Sequence, residues 1–327
     1  MKRTSILLCL LLLAMLALVA APFCGIEHVP LRTLWAGSED PARLDILWRI
    51  RIPRVVMALL AGAALAAGGM AFQAMFRNAL ATPFTLGVSS GAALGAALAI
   101  HFGLSFSLGD FSAVSLCAFA GAVLVIMLVY GLARTRRGFS AATMLLAGVA
   151  VSFFCSSLIL FLQYLSDPTR TFQMLRWVMG GLENVVDFSD VLNLFPFAFA
   201  GCLIVFYFSH ELNLITTGDE LAASRGVEVH RTKIVLFLVT SLMVGAVVSL
   251  CGPIGFVGLM VPHICRLLVG PDHRYLMPAS LLFGGAFLIF CDTLARTIMA
   301  PTELPVGIIT AMLGGPFFLW LLLRRGV

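Results

Sequence analysis

Residues 51–78 read RIPRVVMALLAGAALAAGGMAFQAMFRN. Between Arg54 and Arg77 no side chain carries charge, and Gln73 is the single polar one. At about 1.5 Å per residue, the run 55–76 is long enough to cross the roughly 30 Å hydrocarbon core of a bilayer. The stretch Ala-Gly-Ala-Ala-Leu-Ala-Ala-Gly-Gly at 61–69 is smooth. In lipid, helices associate through close van der Waals approach, and small residues permit it. This segment therefore predicts a membrane-spanning helix with close helical neighbours.

The rest of the chain repeats the pattern. Of 327 residues, 61% are hydrophobic and only 11% charged, and the mean hydropathy is +1.04. A soluble domain carries about 25% charge, so this chain has too little polar surface for water. Apolar runs at 6–24, 55–76, 84–101, 112–133, 141–164, 190–209, 234–251, 254–269, 278–298 and 305–323 predict about ten spans. The expected fold is an all-α polytopic membrane protein, one domain over residues 1–327, with both termini on one side. Lys2 and Arg3 precede the run 6–24, as in a signal peptide. The run exceeds the roughly 7–15 residues of a signal core, and Ala20-Ala21-Pro22 is a poor cleavage context, so we read it as a retained span.

The lysines and arginines orient the spans. Placing the N-terminus inside gives the cytoplasmic face the majority of them, with tight clusters at Arg134, Arg136, Arg137 and at Arg324, Arg325. The net charge of +5 is thus scattered between spans, which excludes a nucleic-acid patch. It also leaves Arg49, Arg51 and Arg54 on the outer side, where they need a reason. Gly87, Gly91 and Gly95 form a stripe on one helical face and predict a packing contact. Gly62-Ala63 with Gly69 echoes Gly245-Ala246 with Gly252, a faint sign of inverted repeats. The eight cysteines lie mostly inside apolar runs without metal-ligand spacing, and read as small buried hydrophobes. His263 reads as a structural histidine, and Asp292 as an intramembrane ionisable group with functional potential.

The longest polar interruption is 210–233, HELNLITTGDELAASRGVEVHRTK. Thr217 and Glu220 have capping-box spacing, Asp219 and Glu220 would sit in the first turn, and Gly226 follows Arg225 as a stop. These signals predict a short capped helix at the membrane surface, better suited to docking than to mere connection.

This segment resembles the cytoplasmic coupling loop (about 211–231 here) of the FecCD/BtuC permease family, which serves iron-siderophore, haem and vitamin B12 import. The other family stretches follow in order: Arg51-Ile-Pro-Arg54, Leu86-Gly87-Val-Ser-Ser-Gly91, Leu145-Leu-Ala-Gly-Val-Ala150 and Trp177-Val-Met-Gly180. Then come Gly252-Pro-Ile-Gly-Phe-Val-Gly258-Leu-Met-Val-Pro-His263-Ile-Cys-Arg266, Gly270-Pro-Asp-His-Arg274, Asp292-Thr-Leu-Ala-Arg296, Glu303-Leu-Pro-Val-Gly307 and Gly314-Gly-Pro-Phe-Phe318. The likeness covers roughly 45–323. Ala79 departs from the family's usual proline, and Gly315 from its common alanine.

The resemblance implies a type II ABC importer permease in the inner membrane, with both termini cytoplasmic. It implies a homodimer with its pathway on the two-fold axis, two ATPase subunits on the coupling loop, and a periplasmic or extracellular substrate-binding protein. The loop residues are then Thr217, Gly218, Asp219, Glu220, Arg225 and Gly226. Arg51, Arg54 and Arg296 match positions that bind acidic residues of the binding protein, although Arg296 also stands one turn from Asp292. Ser140, Ala141, Ala142 and Thr143 match the cytoplasmic gate, and Ser152, Ser156, Ser157 and Gln163 offer uncharged polar groups along the pathway helix. No cofactor is expected on this chain: it contains no GxxxxGK[ST] loop, so ATP and Mg belong to the partner ATPase and the chain itself is not an enzyme. The expected cargo is a ferric siderophore, with haem or a corrinoid as the alternative. An ion-coupled secondary transporter would need buried carboxylates, and a membrane enzyme a clustered His/Asp/Glu constellation; Asp292 alone fits the first, and the scattered histidines do not fit the second.

Overall fold

A computed structural model describes residues 3–25, 44–135, 141–183, 185 and 187–324. Ser140, of the expected gate, lies outside them, as do Arg136, Arg137 and Arg325. The helices are α1 (Arg3–Ala20), α2 (Ile52–Phe76), α3 (Val88–His101), α4 (Ala113–Thr135), α5 (Ala141–Leu165), α6 (Pro168–Met179) and α7 (Phe188–Tyr207). They continue with α8 (Ser209–Thr217), α9 (Asp219–Ser224), α10 (Val229–Cys251), α11 (Val257–Val269), α12 (His273–Thr297) and α13 (Val306–Arg324). A two-residue hairpin, β1 (Ser107–Leu108) with β2 (Phe111–Ser112), joins α3 to α4.

Among the described residues, seven helical segments are long and apolar enough to cross a membrane, and three shorter apolar helices, α3, α11 and the described part of α13, stand at the remaining predicted runs. The all-α reading therefore holds, while α3 and α11 are shorter than a full crossing. The deciding stretch lies at the centre. In its best apolar window α2 is 78% buried, against 22% for α1 and α5, so α2 is core and those two are rim. A π-helical turn, Ile46–Arg51, runs directly into α2, with Ile52 N–H donating to Leu47 O, and Pro53 sits at the junction. The end of α2 is set by Arg77 in the left-handed region (φ 49°), with Asn78 N–H donating to Gln73 O at 3.2 Å.

The glycines do what lipid-phase packing requires. A Cβ on Gly91 would meet Gly121 O at 2.5 Å, and one on Gly95 would overlap the backbone of Cys117, so α3 and α4 touch main chain to main chain. Gly62 similarly admits Gly284 of α12, and Gly69 admits Gly258 of α11. The suspected repeat does not extend to these roles. Gly245 faces the Ala122 side chain at 3.3 Å, and Gly252 is a helix stop with φ 66°.

The ion pairs sort the molecule into two ends. Arg54, Asp292, Arg296 and Glu303 meet at one. Arg77, Asp219 and Lys233 meet at the other, where Arg3 at the start of α1 pairs with Asp272 at 3.8 Å. The start of α1 thus shares an end with the 209–224 loop.

Candidate functional site

The first cluster is built by the N-terminal end of the deciding stretch and the C-terminal turn of α12. Asp292 has 0% exposure. A charge so buried survives only when paired and hydrogen-bonded. Arg54 supplies a fork, Nε and Nη2 each donating to Oδ1 at 3.0 Å, and Arg296 Nε donates to Oδ2 at 3.0 Å. Arg54 Nη1 turns outward to Glu303 Oε2 at 2.6 Å. Arg296 Nη1 also donates to Cys24 O at 3.1 Å, and Arg51 Nη1 to Pro22 O at 3.1 Å. All three arginines, expected to face a partner, are buried: Arg51 7%, Arg54 6% and Arg296 4% exposed. The pairing of Arg296 with Asp292 one turn earlier is the arrangement found. The cluster still has an opening, a cavity of about 280 Å³ lined by Gly25, Ile46, Ile50, Arg51, Arg54, Arg296 and Glu303. Glu303, with 34% of its side chain exposed, is the part in reach of solvent.

The second cluster lies at the opposite end. The predicted single capped helix is two: α8 ends at Thr217, and α9 begins at Asp219 across the extended Gly218 (φ 138°, ψ 144°). The capping box does not form. Thr217 is the last residue of α8, its hydroxyl donating back to Leu214 O at 2.7 Å, and Gly218 takes the cap position without a side-chain bond. A hydroxyl bonding its own helix is the usual alternative to capping the next one. The stop at Gly226 does form: φ is +86°, Val227 N–H donates to Ala222 O and Gly226 N–H to Ala223 O, the bonding of a Schellman stop.

The loop is braced to the spans by residues to which the sequence reading gave no role. Lys233 of α10, 7% exposed, bonds Asp219 Oδ2 at 2.6 Å, and Arg77 approaches Asp219 Oδ1 at 3.8 Å. On α8, Asn213 Nδ2 donates to Asp272 Oδ1 at 2.9 Å and Asn213 Oδ1 accepts from His273 N–H at 2.9 Å. The Asn213 partners and Arg77 stand far away in the chain, and nothing local in a sequence marks such pairs. The one available signal is that Asn213 and Asp219 are polar positions on opposite sides of a glycine break, so that each short helix needs an anchor. Glu220 is exposed and Arg225 is the exposed C-cap of α9.

The third feature is the open face of α5. Met144, Cys155, Ile159 and Leu162 are buried, while Leu146, Phe153, Phe154, Leu160, Phe161 and Tyr164 are exposed. Ser156 and Ser157 sit on the open side, with Ser157 donating to Phe153 O at 3.0 Å; Ser152 and Gln163 are half-buried. Ala142 and Thr143 are in the first turn. The pathway candidates and Ala141, Ala142 and Thr143 of the gate therefore share one helix, separate from the arginine cluster. Near its other end Asp167 caps α6, accepting from Arg170 N–H at 3.0 Å. The sequence signal for that amphipathic helix is the pair Asp167-Pro168 alone. His263 is buried against Phe317, ring centroids 6.1 Å apart.

The sequence that builds this bundle matches the model of a transport family, FecCD, over residues 9–324. The chain belongs to the FecCD transport family. Within it, the chain is 41% identical to the hemin transport system permease protein HmuU of Yersinia pestis, over 97% of this chain and 94% of that one. It is 39% identical to the vitamin B12 import system permease protein BtuC of Escherichia coli, over 98% and 95%. A solved metal-chelate-type ABC transporter in an inward-facing conformation superposes with a TM-score of 0.87 at 30% identity, covering 98% of this chain and 99% of that one. The protein is a FecCD-type permease subunit of an ABC importer, a multi-pass membrane component rather than the catalytic subunit.

Proposed function

We propose that this FecCD-family chain forms a homodimer in the inner membrane, importing a metal chelate delivered by an outer binding protein and driven by two ATPase subunits. The observation that carries this reading is the polarity of the molecule. A carboxylate-binding arginine cluster stands at one end and a braced pair of short helices at the other. Both termini are cytoplasmic in this reading, on the side of the 209–224 loop. Thr217, Gly218, Asp219, Glu220, Arg225 and Gly226 meet the ATPases, which hold ATP and Mg. The second copy faces the open side of α5 across the pathway, so that Ser152, Ser156 and Gln163 border the pathway and Ser140, Ala141, Ala142 and Thr143 its inner gate.

The cargo is best read as a metal tetrapyrrole, ahead of the ferric siderophore that the family resemblance favoured. Two observations support this order. The open face of α5 presents Phe153, Phe154, Phe161 and Tyr164 with no charged residue among them, a surface for a broad, largely apolar ligand. The relatives at 41% and 39% identity are named for hemin and vitamin B12. Docking uses Arg51, Arg54 and Arg296 through the cavity beside Glu303: a partner carboxylate replaces Glu303 on the outward edge of Arg54, while Asp292 keeps the inward edge.

The test is uptake into proteoliposomes holding this chain and its ATPase, with binding protein outside and haem, cobalamin and a ferric siderophore offered in parallel. ATP-dependent uptake of haem or cobalamin is expected, reduced at least roughly ten-fold by Arg54→Ala. Uptake driven by an ion gradient, indifferent to ATP, would sink the importer reading; uptake of the siderophore alone would sink the tetrapyrrole one.

A further inference from the structure

The two clusters are tied to the ends of the same pair of helices. α2 runs from the arginine end, where Arg54 holds Asp292, to the loop end, where Arg77 approaches Asp219. α12 runs the opposite way, from Asp272 and His273 beside the loop to Asp292 and Arg296. Each is 25 residues, about 37 Å of helix.

Between the clusters the two helices are in backbone contact. A Cβ on Gly284 would come within 2.6 Å of both Gly62 O and Ala66 Cβ, and one on Gly285 within 2.5 Å of Leu59 Cδ1. Packing this close resists sliding, because any shift drives carbonyl into side chain. At the outer end the Arg54 fork on Asp292 crosses from one helix to the other, and breaking it would leave buried charge without its partner.

At the loop end the helices are gripped separately. Asn213 on α8 holds the start of α12 at three points. Its Nδ2 donates to Asp272 Oδ1 at 2.9 Å, and its Oδ1 accepts from His273 N–H at 2.9 Å and lies 2.7 Å from His273 Nδ1. Arg274 Nη2 adds a bond to His210 Nδ1 at 3.1 Å. Between α9 and the end of α2 stands the longer Arg77–Asp219 contact, with both side chains about half exposed. The firm handle is Asn213.

We infer that α2 and α12 act as one strut joining the 209–224 loop to the outer arginine site, and that Asn213 is the positioning residue that transmits loop motion to it. The inference rests on the importer reading above and adds the route by which its two docking sites communicate. Such coupling is reciprocal in binding: occupation of the outer site alters the loop, and the loop alters the outer site. Coupling free energies of this kind correspond to factors of about 5–150.

The experiment uses the complete complex in proteoliposomes and reads cargo imported per ATP hydrolysed, together with co-elution of the ATPase. Asn213→Asp faces Asp272 with a second carboxylate and removes the donor. Combining it with Asp272→Asn turns an amide donor toward the new carboxylate and rebuilds the link, while giving up the cap bond that Asp272 Oδ1 accepts from Arg274 N–H. The single substitution is expected to lower cargo per ATP about ten-fold, with the double variant within about two-fold of wild type. A single variant as well coupled as wild type would overturn the inference. So would a double variant that assembles with the ATPase yet stays uncoupled. Failure of the importer reading itself has a different signature, absence of ATP-dependent uptake in the wild-type complex.

Discussion

Two arginines around one carboxylate are a larger commitment than a surface ion pair. Asp292 is fully buried and holds Arg54 and Arg296 at 3.0 Å each. Removing one member of a buried charge group costs about 3–5 kcal/mol, chiefly because the others remain buried. Asp292→Asn is therefore expected to destabilise the detergent-solubilised protein by about that amount, read as a lower thermal unfolding midpoint; an unchanged midpoint would mean the arginines find water instead. At the loop end, Asp272 is governed by opposed effects. Burial raises its carboxyl, and the Asn213 side chain, the Arg274 N–H and the charges of Arg274 and Arg3 outweigh it, leaving it below the ordinary 3.8. A depressed carboxyl contributes stability above its unfolded value, and loses it as pH falls through the folded one. The stability contribution of Asp272 should therefore be level from about pH 5 to 8 and fade only below about pH 4. Comparing thermal midpoints of wild type and Asp272→Asn across that range checks this.

Glycine separates two kinds of element contact. Gly62 of α2 sits where any Cβ enters the Gly284 backbone, and overpacking a tight contact costs about 1–3 kcal/mol. Gly62→Ala should cost at least that, since backbone rather than a side-chain tip must move. Gly315, inside α13, has no atom beyond its own turn of helix within 4 Å of where an alanine methyl would stand. There the family's common alanine should fit, gaining about 0.5–1 kcal/mol from the lower helix propensity of glycine. Thermal unfolding of the two variants should move in opposite directions. The contrast also explains what was legible. The Gly87/Gly91/Gly95 stripe advertises an interface because its period matches one helix face, and Gly91 and Gly95 form one against α4. The capping box at Thr217 and Glu220 misleads for a related reason. Its spacing is local and correct, but Gly218 breaks the chain there, and the two short helices take their anchors from Lys233, Asp272 and His273 instead.

Across the whole molecule, net charge at the arginine site favours an acidic visitor: three arginines stand beside Asp292 and Glu303. Glu303 is the internal competitor, being partly in solvent and bonded to the outward edge of Arg54. If docking exchanges it for a partner carboxylate, Glu303→Gln should tighten the Kd for the loaded binding protein roughly ten-fold by removing like-charge opposition, measured by binding to the permease in nanodiscs; weaker binding would place Glu303 among the docking groups instead. Composition and periodicity were enough to establish helices, lipid as solvent and the position of every apolar run, and the ordered motifs carried the resemblance to a permease family. Those properties are set by residues near one another in sequence, through propensity and the cost of exposing backbone in lipid. Which arginine faces inward, that Asp292 is an anchor and that Asn213 grips α12 are decided by side chains remote in the chain, Arg54 and Asp292 being 238 positions apart. Their meeting depends on how helices stack, and only the tertiary structure specifies that.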